Sequence, residues 1–157
     1  MTMDLQRFLN AALSPRESSI EVPELAQWFG EGEPAVWVVR GLTAAEMGRA
    51  REAAEEGRAD NVRALVAAMA GGGDKIGAIR KAFGLADDDV PADVSRRIEM
   101  LAAGSVSPAL GSDNREVAVK VAEAFPTVFY NLTNQILALT GQGAELGKPK
   151  RSGKTPE

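Results

Sequence analysis

The chain has 157 residues, of which 45% are hydrophobic, 25% charged and 5% aromatic, and 18 Lys and Arg against 22 Asp and Glu leave a net charge of −4. That composition suits one soluble domain with a real core, and the mild acidity argues against a dedicated nucleic-acid binder. Cys and His are both absent, which excludes disulfides, thiolate zinc sites and cysteine nucleophiles and removes the commonest general base and metal ligand. Residues 1–12 carry Asp4, Gln6 and Arg7 and no long apolar run, so nothing there reads as a signal peptide. No stretch approaches the roughly 20 apolar residues that span a bilayer, and a cytosolic protein is the default expectation.

In chain order, Leu5, Phe8, Leu9 and Ala12 recur at helical spacing, predicting a first helix over Met3–Leu13 that Ser14-Pro15 ends. Ile20 and Val22 alternate with Ser19 and Glu21, a strand pattern that Pro23 confines to an edge or stops early. Ala35–Arg40 (AVWVVR) is rich in β-formers, and with Gly30, Gly32 and Pro34 between the two runs an antiparallel hairpin over 18–42 is expected. Trp28, Phe29 and Trp37 could form a binding face; the simpler expectation is that they are core beneath the hairpin.

Helices dominate from there. Thr43-Ala-Ala-Glu46 is a capping box, and Thr43→Ala should cost about 1 kcal/mol. Its helix runs to about Glu56, and the Glu52, Glu55 and Glu56 face reads as solvated. Asp60 opens a helix carrying Val62, Leu65, Val66 and Met69, Gly71–Gly73 is a flexible joint, and Asp74 opens a helix with Ile76, Ile79 and Phe83 that Gly84 closes. A further helix begins around Pro91–Asp93, carries Val94, Ile98 and Leu101 and ends at Gly104, and 105–112 is a turn-rich connection. The longest periodic segment is Asp113–Gly141, with Val117, Val121, Phe125, Val128, Leu132, Ile136 and Leu139 on one stripe. Asp113 is its expected N-cap and Gly141 its C′ residue. Pro126 must kink the helix, or begin a second one as its first residue; a kink or a very short break is expected. Residues 142–157, with three Gly, two Pro and no aromatic, read as a disordered tail. The fold class expected is mainly α with a small antiparallel β-hairpin, an α+β chain built as a bundle of about five to six helices over 1–141.

No apparent motif carries chemistry. Gly153-Lys154-Thr155 ends like a phosphate loop, but position 148 is Lys rather than Gly, and neither a preceding strand nor a following helix is in place. Asp87-Asp88-Asp89 lacks the alternating spacing of a calcium loop and reads as a helix cap. Asn131-Leu132-Thr133 has glycosylation spacing but sits within an expected helix. Lys148, Lys150, Arg151 and Lys154 give the tail +2 against −6 for the rest, a solubilising feature or a weak contact for an acidic partner. No nucleophile has a base in view, so no catalytic residue, cofactor or metal is expected.

The order of segments nevertheless resembles a family. Glu21-Val22-Pro23-Glu24-Leu25, then Val36-Trp37-Val38-Val39-Arg40-Gly41-Leu42-Thr43 running into a capped helix, is similar to the opening of the tail assembly chaperones of long-tailed bacteriophages and prophages. Gly104-Ser105-Val106-Ser107-Pro108-Ala109-Leu110, an acidic cap and a helix pair ending Ile136-Leu137-Ala138-Leu139-Thr140-Gly141 continue the resemblance, which covers most of 18–141. The Gly30–Pro34 connection and the Gly71–Gly73 joint depart from it. The resemblance implies a non-enzymatic chaperone in the host cytoplasm that binds the tape measure protein, can contact the tail tube protein, and is missing from the finished virion. It also implies a longer frameshifted product, for which Gly147-Lys148 and Gly153-Lys154 are candidate slip positions.

A helical client would lie in an apolar groove, and the surplus apolar residues Phe125, Phe129, Tyr130 and Leu137 are the candidate partner-binding side chains, with burial in the core as the competing expectation. Self-association is compatible with either. Two alternatives remain: a virion structural or connector protein, and a helical DNA-associated adaptor using Arg96-Arg97 or Arg49 and Arg51. Neither nucleic acid nor membrane is an expected partner.

Overall fold

The computed structural model describes residues 2–56 and 92–147. The expected helices at 60–70 and 74–84, the Gly71–Gly73 joint, the Asp87–Asp89 triplet and the tail from Lys148 onward lie outside the described residues. The chain is α+β. Its described elements run α1 (Leu5–Leu9), β1 (Leu13–Pro15), β2 (Glu17–Glu21), a 3-10 turn (Pro23–Trp28), β3 (Val36–Arg40), α2 over 44–56, α3 (Ala92–Gly104), β4 (Ser105–Ser107), α4 (Arg115–Ala124), α5 (Pro126–Gln142) and β5 (Ala144–Leu146).

The expected hairpin forms. β2 and β3 pair antiparallel with Glu17 opposite Arg40 and Glu21 opposite Val36, and alternation along β3 buries Trp37 and Val39 on one face. A third strand was not legible: β4, within the expected turn-rich connection, pairs antiparallel with β3 to give the order β2-β3-β4. Trp37 ties this sheet to α3, because its Nε1 donates to Ser105 Oγ at 3.0 Å and that hydroxyl donates to Leu101 O at 2.6 Å. The indole is thereby buried with its polar atom satisfied.

The helices close over one face of the sheet. α3 contributes Ile98, Met100 and Leu101, α4 Ala118 and Val121, and α5 Val128, Phe129, Leu132, Ile136 and Leu139 to a single core. Burying a side chain of this size contributes about 1.5–3 kcal/mol, so α5 is the main support of the fold. Two glycines allow the close approaches. A Cβ on Gly41 would stand 3.1 Å from Leu139 C and Thr140 N, and one on Gly104 would stand 2.8 Å from Ile136 Cδ1. Next to Gly41, Leu42 N–H donates to Thr140 Oγ1 at 2.9 Å, tying the strand exit to α5.

The capping box is present: Glu46 N–H donates to Thr43 Oγ1 at 3.2 Å and Thr43 N–H to Glu46 Oε1 at 2.9 Å. Arg40 at the end of β3 completes it by a bidentate pair to Glu46, at 2.9 and 2.7 Å. That hydrogen bond lowers the Glu46 carboxyl to about 2 and raises the Arg40 guanidinium, burial opposing both shifts.

Several boundaries differ from expectation. The first helix is α1 alone, because Leu13–Pro15 is drawn into an antiparallel ladder with Ala144–Leu146. That ladder also corrects the tail, of which 144–146 is a strand. The very short break expected in the long C-terminal segment is present and takes one residue: Phe125 has φ −131° and ψ 63°, and Pro126 opens α5. Phe125 N–H still bonds Val121 O and its carbonyl accepts from Phe129 N–H, so the break orphans little backbone. Asn114, not Asp113, is the N-cap of α4. Gly141 is helical; the positive-φ residue that ends the helix is Gly143, with φ +73° and ψ −172°. Val117 leaves the stripe for the exposed rim, since the short α4 buries its Ala118–Val121 edge.

Candidate partner-binding surface

The α4–α5 break positions the surface. Pro126 supplies no N–H and fixes its own φ, so it suits the first helical place and leaves Phe125 outside both helices. Phe125 is half-buried, packed partly against the core. Opposite it, Pro23 opens the 3-10 turn, Leu25 anchors that turn in the core, and Trp28 ends it. The Trp28 ring stands edge-on to Phe125, centroids 5.7 Å apart at 76°, a favoured aromatic geometry. Trp28 is still 64% exposed.

Trp28 was expected beneath the hairpin with Phe29 and Trp37. Only Trp37 lies fully there; Phe29 is half-buried against the core and Trp28 faces outward. Trp28 lies within a run, 17–39, that holds Glu17, Glu21, Glu24, Glu31 and Glu33 and no Lys or Arg. The same run carries the buried Val22, Leu25, Trp37 and Val39, so its composition does not single out Trp28 as a surface residue.

The other expected contact residues separate. Phe129 is 1% exposed and belongs to the core, the competing expectation stated for it, and so is not an outward contact residue. It faces inward because α5 buries a broad stripe, Val128 and Phe129 side by side, between α3, α4 and the sheet. Leu137 is half-buried and packs on the same core. Tyr130 is 40% exposed, its ring edge-on to Phe129 at 5.5 Å and beneath the Arg97 guanidinium at 4.9 Å. Of the four, Phe125 joins the Trp28 aromatic pair, and Tyr130 marks a separate place under Arg97.

Arg97 is held firmly. It donates to Asp93 Oδ2 at 3.0 Å, Thr133 Oγ1 at 2.7 Å and Asn134 Oδ1 at 2.8 Å, and Arg96 reaches Asp93 Oδ1 at 2.7 Å. Burial pushes the Asp93 carboxyl up, but hydrogen bonds from Arg97 and Arg96 outweigh it and hold the group below the usual carboxylate range. The Arg96-Arg97 pair considered for nucleic acid is ion-paired to Asp93 on the same helix, a carboxylate about half exposed. Among the described residues no three His, Cys, Asp or Glu side chains gather as a metal site, and no described helix is long and apolar enough to cross a membrane.

The structure presents an exposed Trp28 ring paired with Phe125, and the 17–39 segment that carries Trp28 holds five Glu and no Lys or Arg. Comparison with protein-family models, with curated proteins and with solved structures finds no match to this chain.

Proposed function

We propose that this chain is a non-enzymatic assembly chaperone of the kind long-tailed phages make, which binds the tape measure protein in the host cytoplasm and helps recruit the tail tube protein. The proposal includes the fuller architecture, a bundle of about five to six helices with the sheet on one side. One observation carries it: Trp28, an energetically costly side chain to leave in water, stands 64% exposed on Phe125 at a helix break. Trp is enriched where partners bind because one rigid ring supplies much contact area at small entropic cost.

The 17–39 segment gives the client its chemistry. Five glutamates and no cation in 17–39 favour a helical segment with an apolar stripe and flanking Lys or Arg, the stripe covering Trp28 and Phe125 and the cations meeting Glu24, Glu31 and Glu33. Its carboxylates also disfavour acidic clients, which sorts clients by charge.

The test is co-expression with the tape measure gene that would neighbour it. The proposal expects the client to remain soluble and co-purify with the wild-type chain. A client equally insoluble with and without it would defeat the proposal. Mass spectrometry of finished particles separates the chaperone from a virion structural component, which would be retained in them.

A further inference from the structure

A second set of exposed apolar residues is not used by the client-binding proposal. α1 buries none of its residues, and Leu5, Phe8 and Leu9 recur at helical spacing with Leu9 73% exposed. Four residues further on, Leu13 begins β1 opposite Leu146, which is 75% exposed. With Met3 these are six large apolar residues, each at least 47% exposed, and apolar surface concentrated in this way marks interaction sites.

The elements holding these residues are short. A five-residue helix is far below the ~12–15 residues at which isolated helices become even marginal in water. A sheet of two three-residue strands is equally marginal alone. Both elements gain support if something covers them.

We infer that α1 and the outer edge of β5 form a self-association surface whose occupant is a second copy of this chain. The backbone indicates which edge is available. Gly147 N–H donates to Ala12 O, so in this register Ser14 and Glu145 direct their backbone groups toward each other, while those of Ala144 and Leu146 point to the free side of β5. On the far side of β1 stands Pro15, which has no N–H and blocks extension there. Among the described residues the outer edge of β5 pairs with no strand, and an antiparallel pair of identical strands is two-fold symmetric, as an isologous dimer requires.

Charge points to the same occupant. Residues 2–16 and 144–147 carry Asp4 and Glu145 against Arg7 and Arg16, a net charge of zero in a chain of −4. Arg16 also meets Glu145 at 3.4 Å, answering that carboxylate within its own copy. An acidic protein can approach itself most easily through its neutral face.

Sedimentation of the purified full chain alone tests this, so its outcome is independent of any client. The expected result is a reversible two-chain species. Leu9→Glu and Leu146→Lys, both at exposed positions, should each weaken it by about tenfold or more with an unchanged circular dichroism spectrum, while Trp28→Ala leaves it intact. Hydrogen exchange at the Ala144 and Leu146 amides should slow as concentration rises. A single-chain mass up to the solubility limit would overturn the inference, as would a dimer indifferent to both charged substitutions.

Discussion

Phe129→Ala separates core from client surface most sharply. Phe129 is 1% exposed and sits between α5's neighbours in the core and the Tyr130 ring, 5.5 Å away. Truncation removes an aromatic side chain from a fully packed site and leaves a cavity that α5 cannot close, because Leu132 and Ile136 on the next turns are themselves fully buried. The cost should be about 3–5 kcal/mol. At about 2–4 °C per kcal/mol for a domain of this size, the melting temperature should fall by about 10 °C. Urea unfolding followed by circular dichroism and by tryptophan fluorescence gives the free energy, provided the two transitions coincide. Trp28→Ala is the paired control. Its exposed ring loses only the edge contact to Phe125, about 0.5–1.5 kcal/mol. A Phe129→Ala cost below about 1 kcal/mol at unchanged m would refute the burial argument.

Further outcomes follow from the Gly41 and Glu46 contacts. Gly41→Ala puts a Cβ within 3.2 Å of three backbone atoms of α5, so the strand exit and the helix must part, at a cost of about 1–3 kcal/mol measurable by the same unfolding. The Glu46 carboxyl is lowered from 4.5 to about 2 by its hydrogen bond from Arg40. Its contribution is therefore complete above the ordinary carboxylate value and disappears as pH falls from about 4.5 through about 2. After solvent screening this amounts to on the order of 2 kcal/mol. Glu46→Gln should be less stable than wild type at neutral pH and should close the gap in acid; a constant gap across that window would rule out the ion pair as the cause.

The sequence revealed most where a pattern was local. Thr43 and Glu46 make their capping box from three-residue spacing alone, and Val36–Arg40 is a strand because its residues are β-formers with alternating burial. α3 likewise ends at Gly104 as its periodicity indicates. What stayed hidden was non-local. Leu13–Pro15 becomes a strand only because Ala144–Leu146, at the opposite end of the described chain, pairs with it. Ser105–Ser107 is a strand because β3 offers an edge, and its own residues give no such signal. The candidate surface shows the same division. Pro126 announced the break that releases Phe125, whereas nothing local to Trp28 says that its ring meets Phe125 across the fold. Phe129 and Tyr130 are adjacent apolar residues on one helix, and tertiary packing alone makes one core and the other half-open.

The proposed chaperone role comes down to whether Trp28 holds a client. Co-expressing the tape measure protein with wild type and with Trp28→Ala, and measuring how much soluble client co-purifies, tests this directly. The wild-type chain should retain the client, and Trp28→Ala, although folded, should retain less by about tenfold or more, as loss of an interface aromatic anchor requires. Equal recovery with both chains, or no recovery with either, would contradict the account.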